Sequence, residues 1–230
     1  MSATRLSAVA DGVWSIDASV RFLGHVLPAR STVVRLSSGG LLVYSPVSLS
    51  AGLRDEIDRL GPVAAIVAPN TYHHLHFGEW ADAYPEVRTY AAQGLGKKRP
   101  ELRIDEELGD APPEAWREDL DQLWFRGVPM LNEIVLLHRA SRTLIVCDLA
   151  FHIFEVEGPL GSLVLRANDM WRRFGPSRTL RMLLRANRRA SREGLAAIDA
   201  WDFDRVIPAH GEIIESGGPD AMRRAFQFLS

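Results

Sequence analysis

The sequence predicts an α/β fold, because short apolar segments typical of strands alternate with longer segments of helical periodicity. Residues 63–68 form a wholly apolar run that Pro69 ends, which is the pattern of a strand buried on both faces. Residues 177–200 instead carry leucine and isoleucine at spacings that place them on one side of a helix. A chain of 230 residues with this alternation is long enough to bury a sizeable core between sheets and helices.

The first half of the chain consists mainly of predicted strands. The strand-like segments are residues 13–16, 31–36, 41–44, 63–68 and 87–91. A helix is expected after the third of them, with Ser48 or Ser50 as its N-cap and Gly61 at its end. A second, short helix is expected at residues 78–84.

The second half repeats this style with longer helices. Its predicted strands are residues 123–125, 133–138, 143–147 and 205–207. Helical patterns cover residues 177–200 and 219–228. The sequence contains no repeat of fixed period and no linker-like stretch, so we expect one domain spanning residues 1–230.

Composition and charge exclude several classes of protein. The single cysteine, Cys147, cannot form an internal disulfide, and residues 1–12 lack the apolar stretch of a secretory signal. No apolar run approaches the length of about 18 residues that a membrane-spanning helix needs. We therefore expect a cytoplasmic protein that does not bind membranes. A net charge of −2 also argues against nucleic-acid binding. The sequence leaves monomer and homodimer open.

Residues suited to metal binding follow three of the predicted strands. A histidine-rich loop follows one strand, an aspartate another and a histidine the last: His73, His74, His76, Asp148 and His210. Loops at strand ends are where a rigid sheet presents functional side chains. Each residue could instead form a turn or a local hydrogen bond, but their coincidence predicts a metal site.

These three loops resemble those of the metallo-β-lactamase superfamily. The segments are Val-Ala-Pro-Asn-Thr-Tyr-His-His-Leu-His, Ser-Arg-Thr-Leu-Ile-Val-Cys-Asp-Leu-Ala-Phe and Arg-Val-Ile-Pro-Ala-His-Gly. They look most like the branch known as domain of unknown function 4336, and the resemblance covers nearly the whole chain. It implies a four-layer αββα sandwich, with two mixed sheets face to face, helices on both outer faces and the site at one edge.

The first signature of the superfamily, His-x-His-x-Asp-His, is only partly present. In the register set by the glycine two residues after His76, its four named positions carry Thr71, His73, Leu75 and His76. Asp148 corresponds to the bridging aspartate and His210 to the last histidine, while the mid-chain histidine near residues 128–131 is missing. The resemblance therefore implies one metal ion rather than two. Leu75, which replaces an aspartate, is expected to be buried.

The ligands that the resemblance implies are His76, Asp148 and His210. Two histidines and one carboxylate suit a single divalent ion, with zinc first and iron or manganese as alternatives. His73 is expected beside them, as a further ligand or as the base for metal-bound water, with His74 as the alternative to His73. His73 and Asp148 are the residues expected to take part in catalysis. The implied function is hydrolysis, and the alternatives are an iron-dependent redox enzyme and a metal-free binding module.

An arginine-rich segment supplies the expected contacts to the substrate. The arginine segment, residues 166–192, contains nine arginines and one acidic residue, Asp169. It is either a solvated face or a rim for a phosphate or carboxylate group, which arginine binds with two parallel hydrogen bonds. On the second interpretation, Arg172 and Arg173 bind a small anionic substrate in the same cleft as His210.

Overall fold

The computed structural model describes residues 4–22, 25–156 and 158–229, and within them eleven strands form two sheets. The strands of the first sheet are β1 (Arg5–Ala10), β2 (Val13–Phe22), β3 (His25–Arg35), β4 (Leu41–Tyr44), β5 (Val63–Ala68), β6 (Arg88–Ala92) and β7 (Glu106–Leu108). Those of the second sheet are β8 (Leu120–Phe125), β9 (Glu133–His138), β10 (Thr143–Val146) and β11 (Arg205–Pro208).

Seven α-helices and a short 3-10 helix accompany the strands in this part of the chain. The α-helices are α1 (Ala51–Leu60), α2 (Phe77–Ala83), α3 (Leu95–Lys98), α4 (Gly158–Ala167), α5 (Arg178–Ala186), α6 (Arg188–Asp199) and α7 (Gly218–Phe226). The 3-10 helix is Gln227–Leu229. Among the described residues, no helix has both the length and the apolar character needed to cross a membrane.

The first sheet joins an antiparallel half to a parallel half. Strands β1 to β4 pair antiparallel in sequence order, and β4 to β7 pair parallel. Parallel neighbours need crossover connections, and α1, α2 and α3 lie in these connections. The second sheet has the order β11-β10-β9-β8, in which β10 and β11 are parallel and the other pairs antiparallel.

Three apolar clusters define four layers. One lies between the sheets and includes Leu42 of β4 and Ile145 of β10. The second joins the outer face of the first sheet to α1 through Ile57, and to α2. The third joins the outer face of the second sheet to α5 and α7 through Leu184 and Phe226. Successive side chains of a strand face opposite sides, so each buried strand contributes to two clusters. The predicted αββα architecture is confirmed.

The helix predicted over residues 177–200 is two helices, α5 and α6, which meet at Asn187. The backbone of Asn187 leaves the helical region (φ −117°, ψ 50°), and its Nδ2 donates a hydrogen bond to Arg126 O at 3.0 Å. Asparagine is only mildly unfavourable in a helix, so the apolar periodicity could not show this break. The predicted cap of α1 is present, because Ser50 Oγ accepts a hydrogen bond from Leu53 N at 3.2 Å.

Strand register brings the loops after β10 and β11 together. Val146, the last residue of β10, pairs in parallel with Pro208, the last residue of β11. Asp148 and His210 each lie two residues further along, so both leave the sheet at the same edge. The loop after β5 reaches this edge too, because β9 donates a backbone hydrogen bond of 2.8 Å to Pro69 O. The three loops that the sequence singled out therefore meet at one edge of the sandwich.

Candidate metal centre

Three side chains that could bind a metal ion lie together at this edge. Nε2 of His73 is 3.0 Å from Nε2 of His210 and 3.4 Å from Oδ2 of Asp148. Nε2 of His210 is 3.4 Å from Oδ1 of Asp148. One ligand atom from each residue lies within 4.8 Å of the other two. The approach of Asp148 to His210, which the resemblance implied, is present. These three residues are called the ligand group below.

The orientation of both histidine rings is fixed through Nδ1. Nδ1 of His210 lies 2.7 Å from Pro28 O, and because a carbonyl only accepts hydrogen bonds, this nitrogen carries a proton. Nε2 of a neutral His210 then presents a lone pair to the other two side chains. Nδ1 of His73 lies 2.8 Å from Ser45 Oγ, which leaves its Nε2 facing the same point. A hydrogen bond at the second ring nitrogen is the usual support of a metal-binding histidine.

The spacing of these atoms fits one divalent ion. Bonds of 2.0–2.2 Å at tetrahedral angles place neighbouring ligand atoms of zinc about 3.3 Å apart. The contacts between the three residues are 3.0–3.4 Å. Two imidazoles and one carboxylate are also a donor set that zinc and iron(II) accept. Geometry and chemistry therefore agree that the residues present can hold one such ion.

Asn70 ties Asp148 to the loop that carries His73. This amide is fully buried, and its Nδ2 donates to Asp148 Oδ2 at 2.8 Å. Its Oδ1 accepts from Tyr72 N at 2.8 Å and from His73 N at 2.9 Å. Burial raises the pKa of the Asp148 carboxyl, but a positive charge on His73 and hydrogen bonds from Nε2–H of both histidines, the protons that a metal ion would displace, outweigh it. The pKa of Asp148 therefore lies well below its usual value.

A second buried side chain, Glu133 at the start of β9, fixes the backbone around Asp148. Its two carboxylate oxygens accept hydrogen bonds of 2.8–2.9 Å from the backbone N–H groups of Cys147, Asp148 and Leu149. Burial and the charge of Asp148 raise the pKa of Glu133 to about 8, while the three N–H donors act in the opposite direction. The turn after β10 is thus held by one side chain from the neighbouring strand.

The segment that carries His210 is held by β3, a strand of the other sheet. Arg30 of β3 pairs with Asp17 at 2.7 Å. Nη1 of Arg30 also donates to Pro208 O at 3.1 Å and to Gly211 O at 2.5 Å. Because these two carbonyls lie on either side of His210, the guanidinium fixes the path of the backbone through the ligand.

His76, expected as a ligand, lies outside the ligand group. It is the N-cap residue of α2, and its Nδ1 lies 3.0 Å from Glu79 Oε2 within the same helix. Leu75 is 65% exposed, so the expectation that it is buried is wrong. Both corrections have one cause, since residues 75 and 76 form the turn that leads into α2. His73 lies where His76 was expected.

His74 also lies outside the ligand group. Its Nδ1 accepts a hydrogen bond of 2.8 Å from Arg99 Nη1. Burial lowers the pKa of His74, and the positive charges of Arg99 and Lys98 lower it further. Because a guanidinium only donates hydrogen bonds, this contact and the lowered pKa both favour the neutral form of His74.

The arginine segment contacts a loop next to the ligand group, and within the described part of the chain three of its nine arginines contact an acidic side chain. Its backbone pairs with residues 151–153, where the ring of Phe151 stacks on that of His210 with centroids 5.4 Å apart. Arg173 binds Asp169, which Arg181 also contacts. Substrate binding by Arg172 and Arg173 stays a prediction.

Sequence reasoning missed the residues that hold the ligands in place: Arg30, Ser45, Asn70 and Glu133. Asn70 offered a signal, because it follows Pro69 directly after the buried strand and opens the histidine-rich loop. Ser45 offered none. Its φ of 57° lies in the left-handed region, which serine seldom adopts and no local pattern indicated.

The fold resembles that of solved metallo-β-lactamases. The structure of TMB-1 matches with a TM-score of 0.69 and 13% identity, over 100% of this chain and 98% of that one. FIM-1 from Pseudomonas aeruginosa, in its mono-zinc form, matches with a TM-score of 0.64 and 14% identity, over 98% and 94% of the two chains. At these identities the likeness shows the fold alone.

A flavodiiron protein shares the fold as well. The Flv1 flavodiiron core from Synechocystis sp. PCC6803 matches with a TM-score of 0.70 and 13% identity, over 98% of this chain and 60% of that one. No curated protein matches the sequence.

The family model described as domain of unknown function (DUF4336) matches residues 10–167. This match covers more than half of the chain and includes His73 and Asp148, while His210 lies beyond it. The structural comparisons supply the fold of the remainder. The chain therefore belongs to the DUF4336 family, and its fold is that of the metallo-β-lactamases.

Proposed function

We propose that the protein is a metal-dependent hydrolase of small molecules, in which the ligand group holds one divalent cation. One observation supports this most strongly. Side chains from three separate loops meet with both histidine Nε2 atoms and the Asp148 carboxylate directed at one point. Burying such groups together costs free energy unless a proton or a cation joins them. A metal ion meets that requirement for all three at once.

Each residue has a defined part in this proposal. Ser45 and Pro28 engage Nδ1 of the two histidines, so that Nε2 of each ring is the ligand atom. Asp148 contributes the only negative charge of the three ligands. A bound ion supplies Lewis acidity and lowers the pKa of a coordinated water to about 7. Both nitrogens of His73 are engaged in this arrangement, so we assign it as a ligand and not as the base.

Zinc is the ion we propose, because three protein ligands and an open position are typical of zinc hydrolases. The mono-zinc form of FIM-1 shows that a neighbour with this fold holds a single zinc ion. One carboxylate leaves a divalent centre with a net positive charge, which favours a substrate that carries a negative charge.

Metal analysis of the purified protein tests the centre. We expect about one zinc per chain in the wild type and in the His76→Ala control. We expect none in Asp148→Ala or His210→Ala after dialysis, because two remaining ligands bind an ion weakly. Equal zinc in all four proteins would contradict the assigned ligands.

A panel of small esters, thioesters, lactones and phosphate esters then tests hydrolysis. Turnover should require zinc and should disappear in Asp148→Ala but not in His76→Ala. Zinc binding without turnover of any substrate would support the proposed metal centre but contradict the proposed hydrolase activity. Iron in place of zinc would favour the redox alternative, and no metal at all would favour a binding module.

A further inference from the structure

Three of the six large apolar side chains exposed in the described part of the chain lie on the loop that carries His73 and on the loop bonded to it. Among the residues that the structure describes, Tyr72, Leu75 and Met130 are 46%, 65% and 53% exposed. Large apolar side chains gain free energy by leaving water, so their joint exposure needs a reason. We call these three residues the apolar rim.

The apolar rim belongs to two loops that are bonded to each other. Thr71 Oγ1 donates to Met130 O at 2.6 Å, and Thr71 N donates to Leu131 O at 3.0 Å. Thr71 is followed directly by Tyr72 of the rim and then by the ligand His73. Tyr72 and Leu75 thus flank the ligand His73 along the chain, and Met130 lies on the loop that is bonded to this segment.

The backbone beneath the rim is held in place before anything binds. Asn70 Oδ1 accepts the N–H groups of Tyr72 and His73 at 2.8 and 2.9 Å. Lys98 Nζ donates to Thr71 O at 2.7 Å and lies 4.0 Å from the centre of the Tyr72 ring. The backbone of this surface and the ring of Tyr72 are already ordered. Binding of a ligand therefore costs little conformational entropy.

We propose that the apolar rim binds the apolar part of the substrate whose reacting group lies at the ligand group. This inference rests on the proposed function and narrows it. The substrate class is an amphiphilic small molecule, in which a hydrolysable polar group is attached to an aliphatic or aromatic body. Lys98, beside Tyr72, places a positive charge at the same rim and suits a negative charge elsewhere on that body.

Alkyl hydroxamates of increasing length separate the two parts of the proposal. The hydroxamate head chelates a metal ion, so binding of acetohydroxamate to the zinc-loaded protein reports the centre alone. The increase in affinity from the acetyl to the hexanoyl and octanoyl compounds reports the rim. Full burial of one methylene raises affinity about fourfold, and a half-open rim should give about twofold per methylene.

The variant Leu75→Ser/Met130→Ser should bind acetohydroxamate like the wild type but lose most of this dependence on chain length. Met182→Ser is the matched control, since Met182 is also 65% exposed but lies on α5. It should keep the dependence. Unchanged thermal melting of all variants shows that they are folded.

Three results would overturn the proposal in distinguishable ways. No dependence on chain length in the wild type, or the same dependence in Leu75→Ser/Met130→Ser, rejects the rim and leaves the metal centre standing. Failure of acetohydroxamate to bind the zinc-loaded wild type rejects the centre, and the rim proposal falls with it.

Discussion

The ligand group and the arginine segment are two polar clusters of opposite kinds. The residues of the ligand group lie more than 60 positions apart in sequence, yet their side chains meet and are only 8–16% exposed. The arginine segment is contiguous, and its members are mostly exposed or half-buried. Three of its charges find acidic partners close by in the chain: Asp169 lies against Arg173 and Arg181, and Glu193 lies against Arg189.

The difference shows which polar clusters call for a functional explanation. Solvent and local ion pairs satisfy a contiguous run of charges at little cost, and each such pair adds little stability. Distant polar groups that are buried together cost free energy and need a dedicated set of hydrogen bonds. Asn70, Glu133 and Arg30 supply those bonds here, and each has a counterpart near or within the arginine segment that allows a matched test.

The largest contrast is expected in stability. Glu133→Ala removes the acceptor of three backbone N–H groups, and each unsatisfied buried group costs about 1–3 kcal/mol. We expect the free energy of unfolding to fall by at least about 3 kcal/mol. Glu193→Ala, which breaks an exposed pair with Arg189, should change it by less than about 1 kcal/mol. Urea denaturation measures both, and similar losses would remove the contrast.

The next largest effect is expected on metal affinity, when the side chain of Asn70 is removed. Asn70→Ala frees Asp148 Oδ2 and two backbone N–H groups of the ligand loop. Loss of such a support lowers metal affinity about 10- to 100-fold. Asn168→Ala, in the arginine segment, removes a bond to Val164 O in the preceding turn of α4 and should have no effect. Competition with a chromogenic chelator gives both affinities, and a wild-type value for Asn70→Ala would contradict its positioning role.

Removal of one arginine side chain can be compared between the two regions. Arg30→Met removes the bonds to Pro208 O and Gly211 O that fix the backbone at His210. We expect zinc affinity to fall about tenfold, which is the smaller end of the loss seen when a residue that positions a metal ligand is removed. Arg173→Met breaks an ion pair with Asp169 and should leave zinc affinity unchanged. Equal effects would mean that the arginine segment also holds the centre.

The smallest expected effect concerns ligand binding at Arg172, whose guanidinium lies 5.3 Å from the centre of the Trp171 ring. If its charge attracts anionic substrates, Arg172→Glu weakens binding of inorganic phosphate by a few-fold at low ionic strength. The effect should vanish near 1 M salt, where the screening length is about 3 Å. Calorimetric titration at two salt concentrations measures it. No change at low salt would identify a solvated face, and complete loss of binding would make Arg172 part of the site.

The layers of the fold could be predicted because their signals are local. Apolar runs, helical spacing and the residues that end them predicted most strands and helices near their observed positions. The N-terminal strands were underestimated, since β1 was not predicted and β2 and β3 extend well beyond the predicted residues 13–16 and 31–36. Polar residues interrupt the apolar pattern there, and two of them, Asp17 and Arg30, are the pair that holds the His210 segment.

The sequence predicted which loops form the site, but not which side chains of those loops meet. Asp148 and His210 follow adjacent parallel strands, so their meeting depends only on strand order and register. The choice between His73 and His76 depends on where α2 begins, and a boundary of that kind is uncertain by a few residues in any sequence pattern. Ser45 acts across the fold from 28 positions away, which no local pattern reports.

The two sheets each contribute to the ligand group, since His73 follows β5 of the first sheet while Asp148 and His210 follow β10 and β11 of the second. An ion held by all three would act as a cross-link between the halves of the sandwich. Its affinity would then appear as folding stability, about 2.7 kcal/mol when free metal exceeds the dissociation constant a hundredfold. The unfolding temperature would rise with metal concentration, and amide protons at the carboxyl ends of β5 and β10 would exchange more slowly together.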